Sequence, residues 1–500
     1  MLMLVSAERA PAAAPGDNFF VAVTDDAFLY KPSVAADAAR ELGLKAFRVS
    51  LSWAPGQLAM SPGDVADFDR MVRATTGLRI VVTVYGTARA APLDDAARDA
   101  YCSYVRDLLT RYPAINDVVI WNEANLGFFW QPQFKADGTS AAPSAYEALL
   151  ARCWDVLHAA RPGVNVIMTT SPAGNDNPNA GSNVSHSPGA FIRKLGAAYK
   201  ATGRAKRIFD TVGHNPYGMS SAEPPWQRHL TPSHIAEGDA DRLVQALVDG
   251  FGGSAQPVPG HCGGAGSSCP SIWYLEAGYQ TFPDAARQGV YTGRENDAAS
   301  VGDIALASGG LTQSTQLTDG IKLAYCQPYV GAFFNFLLWD EPALERWQSG
   351  VLWADGTRKA SFDALKQVAA AAASGGVDCA RLQAAQSIVT MPAGDALLER
   401  LEWSSIREFS SFNEIWRFAI AARADVTYRA VVQRVAPRVS ARKASTALDI
   451  SGRLKGGRAR ILEFPQQRLS AGTYRIVLTV TRKSRTRVTV TRQSPSFAVV

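Results

Sequence analysis

Short segments rich in Val, Ile and Phe recur through the first two thirds of this 500-residue chain, and helical stretches rich in Ala and Leu separate them. Strands that are apolar on both faces are typical of a parallel sheet, because helices cover both of its faces. The eight predicted strands are Phe19–Val23, Ala46–Ser52, Arg79–Tyr85, Asp117–Asn122, Asn165–Thr170, Ile208–His214, Ser271–Leu275 and Ala332–Leu338.

Helical patterns lie between these strands and after the last one. They include Val34–Leu42, Ala97–Tyr112, Ala145–Ala160, Ala190–Ala201, Asp239–Asp249, Val301–Leu311 and Lys359–Ala373. Eight strand–helix units over about 350 residues fit a closed (β/α)8 TIM barrel better than an open doubly wound sheet, which is the structural alternative. No Gly-x-Gly-x-x-Gly pattern follows the first strand, so a dinucleotide site has no support.

The pattern changes beyond about residue 385, where short segments alternate with a period of two, as over 426–431 and 475–481. Such alternation is typical of an antiparallel β-sandwich. We therefore predict an α/β protein with an N-terminal extension (1–17), a (β/α)8 barrel (18–378) and a C-terminal antiparallel β-sandwich (385–500). The sandwich is interpreted as a brace for the barrel, with a binding module as the alternative.

Charge is distributed unevenly between these two parts. Residues 380–500 hold 21 Lys and Arg against 8 Asp and Glu, a net +13, which leaves −7 for residues 1–379 of the +6 total. The basic residues alternate with apolar ones, so they are interpreted as the solvent faces of strands and not as a nucleic-acid surface. Because the barrel carries a net negative charge, a neutral ligand is favoured over an anionic one at its site.

Six cysteines without a Cys-x-x-Cys pair favour disulfides over a zinc site. Cys262 and Cys269 flank a short Gly- and Ser-rich loop and are the predicted pair, while the pairing of the other four stays open. The start of the chain looks like a truncated signal peptide or a mature N-terminus, which favours a secreted or extracytoplasmic protein. No apolar run approaches the roughly 20 residues of a membrane span.

Aromatic, amide and carboxylate side chains gather where the predicted strands end, and that is the end of a barrel where active sites form. Rings of this kind stack on sugars, and amides and carboxylates bind hydroxyl groups. The residues are Arg48 and Trp53 after strand two, Tyr85 after strand three, Asn122 and Glu123 after strand four, His214 and Tyr217 after strand six, Glu276 after strand seven and Trp339 after strand eight.

Residues 18–375 resemble the clan A retaining glycoside hydrolases at Trp121-Asn122-Glu123, Glu276 and Trp339. Within the clan, the chain is most similar to families 39 and 5. Tyr85 stands where family 5 usually has a His, which favours family 39 or a neighbouring group over family 5. The resemblance implies a double displacement in which Glu123 is the acid/base and Glu276 the nucleophile, with the two carboxyl groups about 5–5.5 Å apart.

The resemblance also implies roles for the surrounding residues. Asn122 would bind the sugar 2-hydroxyl, and Arg48 would hold the nucleophile ionised by charge pairing. His214 or Tyr217 would orient the nucleophile, and Trp339 would form the floor of the subsite for the cleaved sugar. Trp53 and Tyr85 are further candidates for substrate binding.

Two further tryptophans, Trp130 and Trp226, are candidate platforms for the leaving group, with core packing as the alternative for each. No His-x-x-x-His or Glu-x-x-His pair is present, so we expect neither a metal nor another cofactor. The expected partner is a glycoside, oligosaccharide or polysaccharide, with no nucleic acid and no membrane span. The sugar, its linkage and the oligomeric state stay open.

Two alternatives to hydrolysis remain at this point. One is a barrel that binds carbohydrate without turnover, which the presence of both glutamates disfavours. The other is a transglycosylase that uses the same glutamate pair but excludes water from the second step.

Overall fold

The architecture comes from a computed structural model of the chain. It describes residues 19–227, 229, 233–261, 269–294, 311–327, 329–379, 397–403, 408–409, 417–436, 446–456, 459–463, 469–470, 472–482, 487–494 and 497–499.

Eight parallel strands close into a barrel in sequence order, with β1 pairing both β2 and β8. The strands are β1 (Phe20–Thr24), β2 (Ala46–Ser52), β3 (Arg79–Tyr85), β4 (Ile115–Ile120), β5 (Asn165–Thr170), β6 (Thr211–His214), β7 (Ile272–Ala277) and β8 (Val330–Phe336). The (β/α)8 barrel is confirmed, and the predicted bounds of β2, β3 and β5 are those of the structure.

Helices surround the barrel, and most of them bury an apolar face against it. They are α1 (Ala27–Tyr30), α2 (Pro32–Glu41), α3 (Pro62–Ala74), α4 (Asp95–Arg111), α5 (Ala142–Ala160), α6 (Pro188–Ala201), α7 (Ala240–Phe251), α8 (Gln313–Cys326) and α9 (Ala360–Ala373). The predicted helix Val301–Leu311 lies outside the described residues except for Leu311. The helix that precedes β8 in the described chain is α8.

Helix α3 shows how local sequence sets these elements. Ser61 accepts a hydrogen bond from the backbone N–H of Asp64, whose carboxylate accepts one from the backbone N–H of Ser61. This capping box and Pro62 in the first turn fix where the helix begins. Phe68 and Met71 then face the core.

Two disulfides tie helices together on the outside of the barrel. Cys102 of α4 is bonded to Cys153 of α5, and Cys326 at the end of α8 is bonded to Cys379 beyond α9. Both bonds suit an oxidising compartment. The predicted pair Cys262–Cys269 involves Cys262, which lies outside the described residues.

The C-terminal strands form a six-stranded and a three-stranded sheet. They are β9 (Leu398–Trp403), β10 (Glu408–Phe409), β11 (Arg417–Ala422), β12 (Val426–Ala436), β13 (Thr446–Leu454), β14 (Ala459–Glu463), β15 (Gly472–Arg482), β16 (Val488–Gln493) and β17 (Phe497–Val499). Apolar side chains of both sheets, such as Leu401, Ile420 and Leu478, form one core, as expected of a sandwich. The predicted antiparallel β-sandwich is confirmed. The short strand β10 pairs with β17 in parallel, and the other strand pairs described in the C-terminal sheets are antiparallel.

The predicted domain limits at 378 and 385 stay predictions, because residues 380–396 lie outside the described chain. Among the described residues, no helix combines the length and apolar character that crossing a membrane requires.

Candidate active site

The segment that carries Glu123 leaves β4 in an unusual backbone conformation. Trp121 has φ 64° and Glu123 has φ 39°, a region that costs a non-glycine residue about 1–3 kcal/mol and is found mostly at functional sites. Strong tertiary contacts are needed to hold it.

Two buried tyrosines from the helix layer supply such contacts. The Tyr101 hydroxyl of α4 donates to Val84 O at 2.6 Å and accepts from the backbone N–H of Trp121 at 3.0 Å. The Tyr146 hydroxyl of α5 donates to Ile120 O at 2.7 Å and accepts from Thr169 N–H at 3.2 Å. Each hydroxyl therefore bridges β4 to a neighbouring strand where the ladder of backbone hydrogen bonds ends.

Arg48 on β2 organises the centre of the site. This buried guanidinium donates to Glu276 Oε1 (2.5 Å), to Asn122 Oδ1 (3.0 Å) and to Thr83 Oγ1 (2.6 Å). Because guanidinium has no acceptor, the Asn122 amide must turn its oxygen toward Arg48. Its NH₂ group then faces the cleft and is free to bind a ligand.

Glu276 lies on β7 with both carboxylate oxygens engaged. Oε1 accepts from Arg48, and Oε2 accepts from the Tyr217 hydroxyl at 3.2 Å. Burial, and then the charges of Glu276 and Glu123, raise the pKa of Tyr217 well above its usual value, so its hydroxyl stays a donor. Two donors from different strand ends therefore hold the Glu276 side chain in position.

Glu123 is buried and lies near the charge of Glu276. Burial, followed by the negative charge of Glu276, raises the pKa of Glu123 to about 8. A hydrogen bond from Asn215 Nδ2 to Glu123 Oε1 (2.7 Å) and the charge of Arg48 oppose this shift without cancelling it. A glutamate whose pKa is raised in this way keeps its proton to higher pH, as a general acid must.

A cleft of about 1040 Å³ opens above these groups at the carboxyl ends of the strands. Of the predicted site residues it is lined by Arg48, Tyr85, Asn122, Glu123, Tyr217, Glu276 and Trp339.

Trp339 is held in the cleft from below by Asp25 at the end of β1. Asp25 Oδ2 accepts the backbone N–H groups of Leu338 (2.9 Å) and Trp339 (2.8 Å), and Oδ1 accepts from Ala27 N–H. Burial raises the pKa of Asp25 to about 7 in spite of these donors. The carboxyl group thus couples β1 to the loop after β8.

Four of the predicted site residues do not reach the cleft. Trp53 is buried, with its ring against Tyr101 and Trp121. Trp130 is fully buried between Trp121 and Tyr146, so core packing was the correct alternative for it. Trp226 is 42 % exposed but lies outside the cleft lining.

The fourth is His214, which does not contact the nucleophile. Its ring nitrogens bond Thr170 Oγ1 (2.9 Å) and Ile235 O (2.8 Å), and burial lowers its pKa to about 4. The next residue, Asn215, reaches Glu123 instead. Successive side chains at a strand end point to opposite sides. Of the two residues predicted to orient Glu276, the structure places Tyr217 and not His214 within hydrogen-bond distance of it.

Other residues of the site were missed. Phe128 and Phe129 line the cleft in place of Trp130, and Trp347 lines it next to Tyr217, with 5.2 Å between ring centroids. The three adjacent aromatic residues 128–130 indicate in the sequence that an aromatic contact could form here, but only the fold shows which of the rings face the cleft. In the described parts of the chain, no cluster of three or more His, Cys, Asp or Glu side chains could hold a metal ion.

The fold and site together define a closed parallel barrel with a carboxyl–carboxylate pair in its cleft. No family model and no curated protein matches the chain. Solved structures that match include a calcium-binding mutant of Bacteroides uniformis β-glucuronidase 2 (TM-score 0.42, 11 % identity, 97 % of this chain and 46 % of that chain). Another is GH5_18 from Streptomyces cattleya in complex with GlcNAc (TM-score 0.46, 14 % identity, 73 % and 81 %).

A third is a GH2 β-galacturonidase from Eisenbergiella tayi bound to galacturonate (TM-score 0.41, 12 % identity, 71 % of this chain and 50 % of that chain). The chain spans about half the length of the β-glucuronidases that it matches. At this level of similarity, none of these structures assigns an activity to the chain, and the resemblance to family 39 stays a prediction.

Proposed function

We propose that this protein is a retaining glycoside hydrolase that cleaves O-glycosidic bonds by double displacement. The observation that carries the proposal is the contrast between the two glutamates. Glu123 is buried with a pKa raised to about 8, whereas Glu276 accepts hydrogen bonds from Arg48 and Tyr217.

In the first step a Glu276 oxygen bonds to the anomeric carbon while the bond from that carbon to the leaving oxygen breaks. Glu123 gives its proton to this oxygen, and the leaving group departs as a neutral alcohol. The product is a glycosyl ester on Glu276, and Glu123 is now a carboxylate.

Ester formation removes the charge of Glu276 and with it one cause of the raised pKa of Glu123. A water molecule then attacks the anomeric carbon, Glu123 accepts its proton, and the ester bond breaks to return the Glu276 carboxylate. Asn122 supports both steps. Arg48 donates both to the Asn122 oxygen and to Glu276, which keeps the Asn122 NH₂ group near the nucleophile and available to the substrate.

Trapping the ester tests the proposal. The protein is incubated with a panel of 2-deoxy-2-fluoro glycosides that carry good leaving groups, and labelled peptides are mapped by mass spectrometry. We expect one glycosyl adduct, on Glu276, and none in Glu276→Gln. The surface variant Glu41→Gln is the matched control and should label like the wild type.

A panel that hydrolyses no glycoside and labels no residue would contradict the proposal and favour a barrel that binds carbohydrate without turnover. An added acceptor alcohol separates hydrolysis from transglycosylation, because a transglycosylase would convert the trapped sugar to a new glycoside in preference to the free sugar.

A further inference from the structure

The cleft has two walls of different chemistry. The loops after β1 and β8 form one wall, and the loops after β4 and β5 form the other, across the closed barrel. The first wall carries charged side chains, namely Asp25, Asp26, Lys31, Asp340, Glu341 and Arg346. On the second wall, Glu123 is the one charged residue among the described lining residues.

The second wall is mainly apolar next to Glu123. Leu126, Phe128, Phe129, Pro172 and Ala173 line it. The rings of Phe128 and Phe129 meet edge to face at 4.9 Å, and Phe129 meets Tyr85 in the same way at 5.9 Å. Phe128 is 78 % exposed, and with Phe129 and Leu126 it forms a contiguous apolar patch in the cleft.

The polar side chains of this wall are mostly used within the protein. Ser171 gives its hydroxyl proton to Ala173 O (2.9 Å), and Ser185 gives its own to Asn183 O (3.1 Å). The Asn175 side chain bonds the backbone of Asn183 and Asn177. Among the described residues, the Asn183 side chain has no hydrogen-bond partner, and Asn122 uses its oxygen but not its NH₂ group. The polar groups of this wall that remain for a ligand are therefore few.

The loop is also held in place without a ligand. Gly127 N–H donates to Val184 O at 3.1 Å, and Trp121 Nε1 donates to Phe129 O at 2.7 Å. A Cβ atom on Gly127 would lie 2.3 Å from Val184 O, so this close approach of two loops requires glycine. The apolar wall is therefore built before the ligand arrives.

We infer that this wall binds an apolar leaving group, an aryl or alkyl alcohol, so that the substrate is a small glycoside and not a polysaccharide. The inference rests on the proposed function, in which the leaving oxygen must lie against Glu123 and the leaving group therefore against Phe128 and Phe129. A second sugar could stack on these rings, but it would also bring several hydroxyl groups to a wall with few free partners for them, whereas an aryl or alkyl group makes the apolar contact without that cost.

A binding experiment tests the wall independently of hydrolysis. Calorimetric titration with 2-naphthol should show one site in the wild type and about tenfold weaker binding in Phe128→Ala, because the ring supplies much of the apolar contact. Phe282→Ala is the matched control, since Phe282 is an exposed Phe outside the cleft lining. Equal binding by all three proteins, or no binding, would overturn the inference.

Kinetics then connects the wall to catalysis. A screen of nitrophenyl glycosides first identifies the sugar that is cleaved. With that sugar, kcat/KM for the octyl glycoside should exceed that for the ethyl glycoside, whose alcohol is similarly acidic, and Phe128→Ala should reduce this ratio about tenfold. A disaccharide cleaved faster than the octyl glycoside would refute the apolar leaving group while the hydrolase stands. Naphthol binding at Phe128 without turnover of any glycoside would refute the proposed function instead.

Discussion

The side chain of Asn215 donates a hydrogen bond to Glu123, with 2.7 Å between Nδ2 and Oε1. This bond stabilises the carboxylate form of Glu123 and therefore acts against the burial that raises its pKa. Asn215 thus sets how readily the proposed acid becomes the proposed base.

Replacing Asn215 by Ala should raise the pKa of Glu123 further. We expect the alkaline limb of kcat/KM to move to higher pH. We expect kcat to fall at neutral pH, because a Glu123 of higher pKa is reprotonated from solvent in more of the ester intermediate and then cannot accept the proton of water. The pH profile measures both, with Asn179→Ala in an exposed loop as the control. An unchanged alkaline limb would contradict the role of Asn215.

The pH profile of the wild type should show loss of kcat/KM as pH rises through about 8, where Glu123 loses its proton. In Glu276→Gln the negative charge near Glu123 is gone, so the pKa of Glu123 should fall. Carbon-13 NMR of labelled glutamate in that inactive variant gives the value directly. A pKa that does not move would show that burial alone sets it.

The same pKa makes folding stability depend on pH. The folded-state pKa of Glu123 lies above the value of about 4.5 for the free side chain, so the folded protein binds more protons between these two pH values. The free energy of unfolding must then fall as pH rises from about 5 to 8. Urea titrations of wild type and Glu123→Gln should show this slope to be smaller in the variant.

Arg48→Met should leave Glu276 without its cationic partner and Asn122 without its orienting donor. Truncating one member of a buried charged pair costs about 2–5 kcal/mol, which corresponds to a fall in kcat/KM of roughly 30- to 5,000-fold. Arg40→Met, which removes an exposed ion pair with Asp37, should leave activity unchanged. Activity near the wild-type level in Arg48→Met would refute the proposed pairing.

Asp25→Asn should weaken the support of Trp339. An amide has one oxygen, so it cannot accept from both Ala27 N–H and the N–H groups of Leu338 and Trp339 as the carboxyl group does. We expect a loss of about 1–3 kcal/mol in stability and a higher KM with a smaller change in kcat. Thermal unfolding and steady-state kinetics distinguish this from a purely structural defect, which would change the melting temperature alone.

Much of the barrel could be predicted from the sequence because buried parallel strands are short and apolar and end in distinctive residues. That Glu123 and Glu276 line one cleft was also predictable, since both lie at the ends of barrel strands. Which side of a strand end a residue faces was not, so the sequence left His214 and Tyr217 as alternatives for contact with Glu276 and gave no sign of the contact between Asn215 and Glu123. The exposure of Phe128 against the burial of Trp130 depends on how the loop after β4 packs on the residues near Val184, a contact distant in sequence.

The Cys102–Cys153 disulfide joins α4 to α5, the two helices whose residues Tyr101 and Tyr146 hold the Glu123 segment. Tyr101 is adjacent to Cys102 in the chain, so this cross-link lies directly behind the strained backbone of the proposed acid. The way the protein is produced therefore matters for any assay. Material made in a reducing cytosol would lack this link, and activity measured on it would report on the loosened loop, not on the chemistry of the two glutamates.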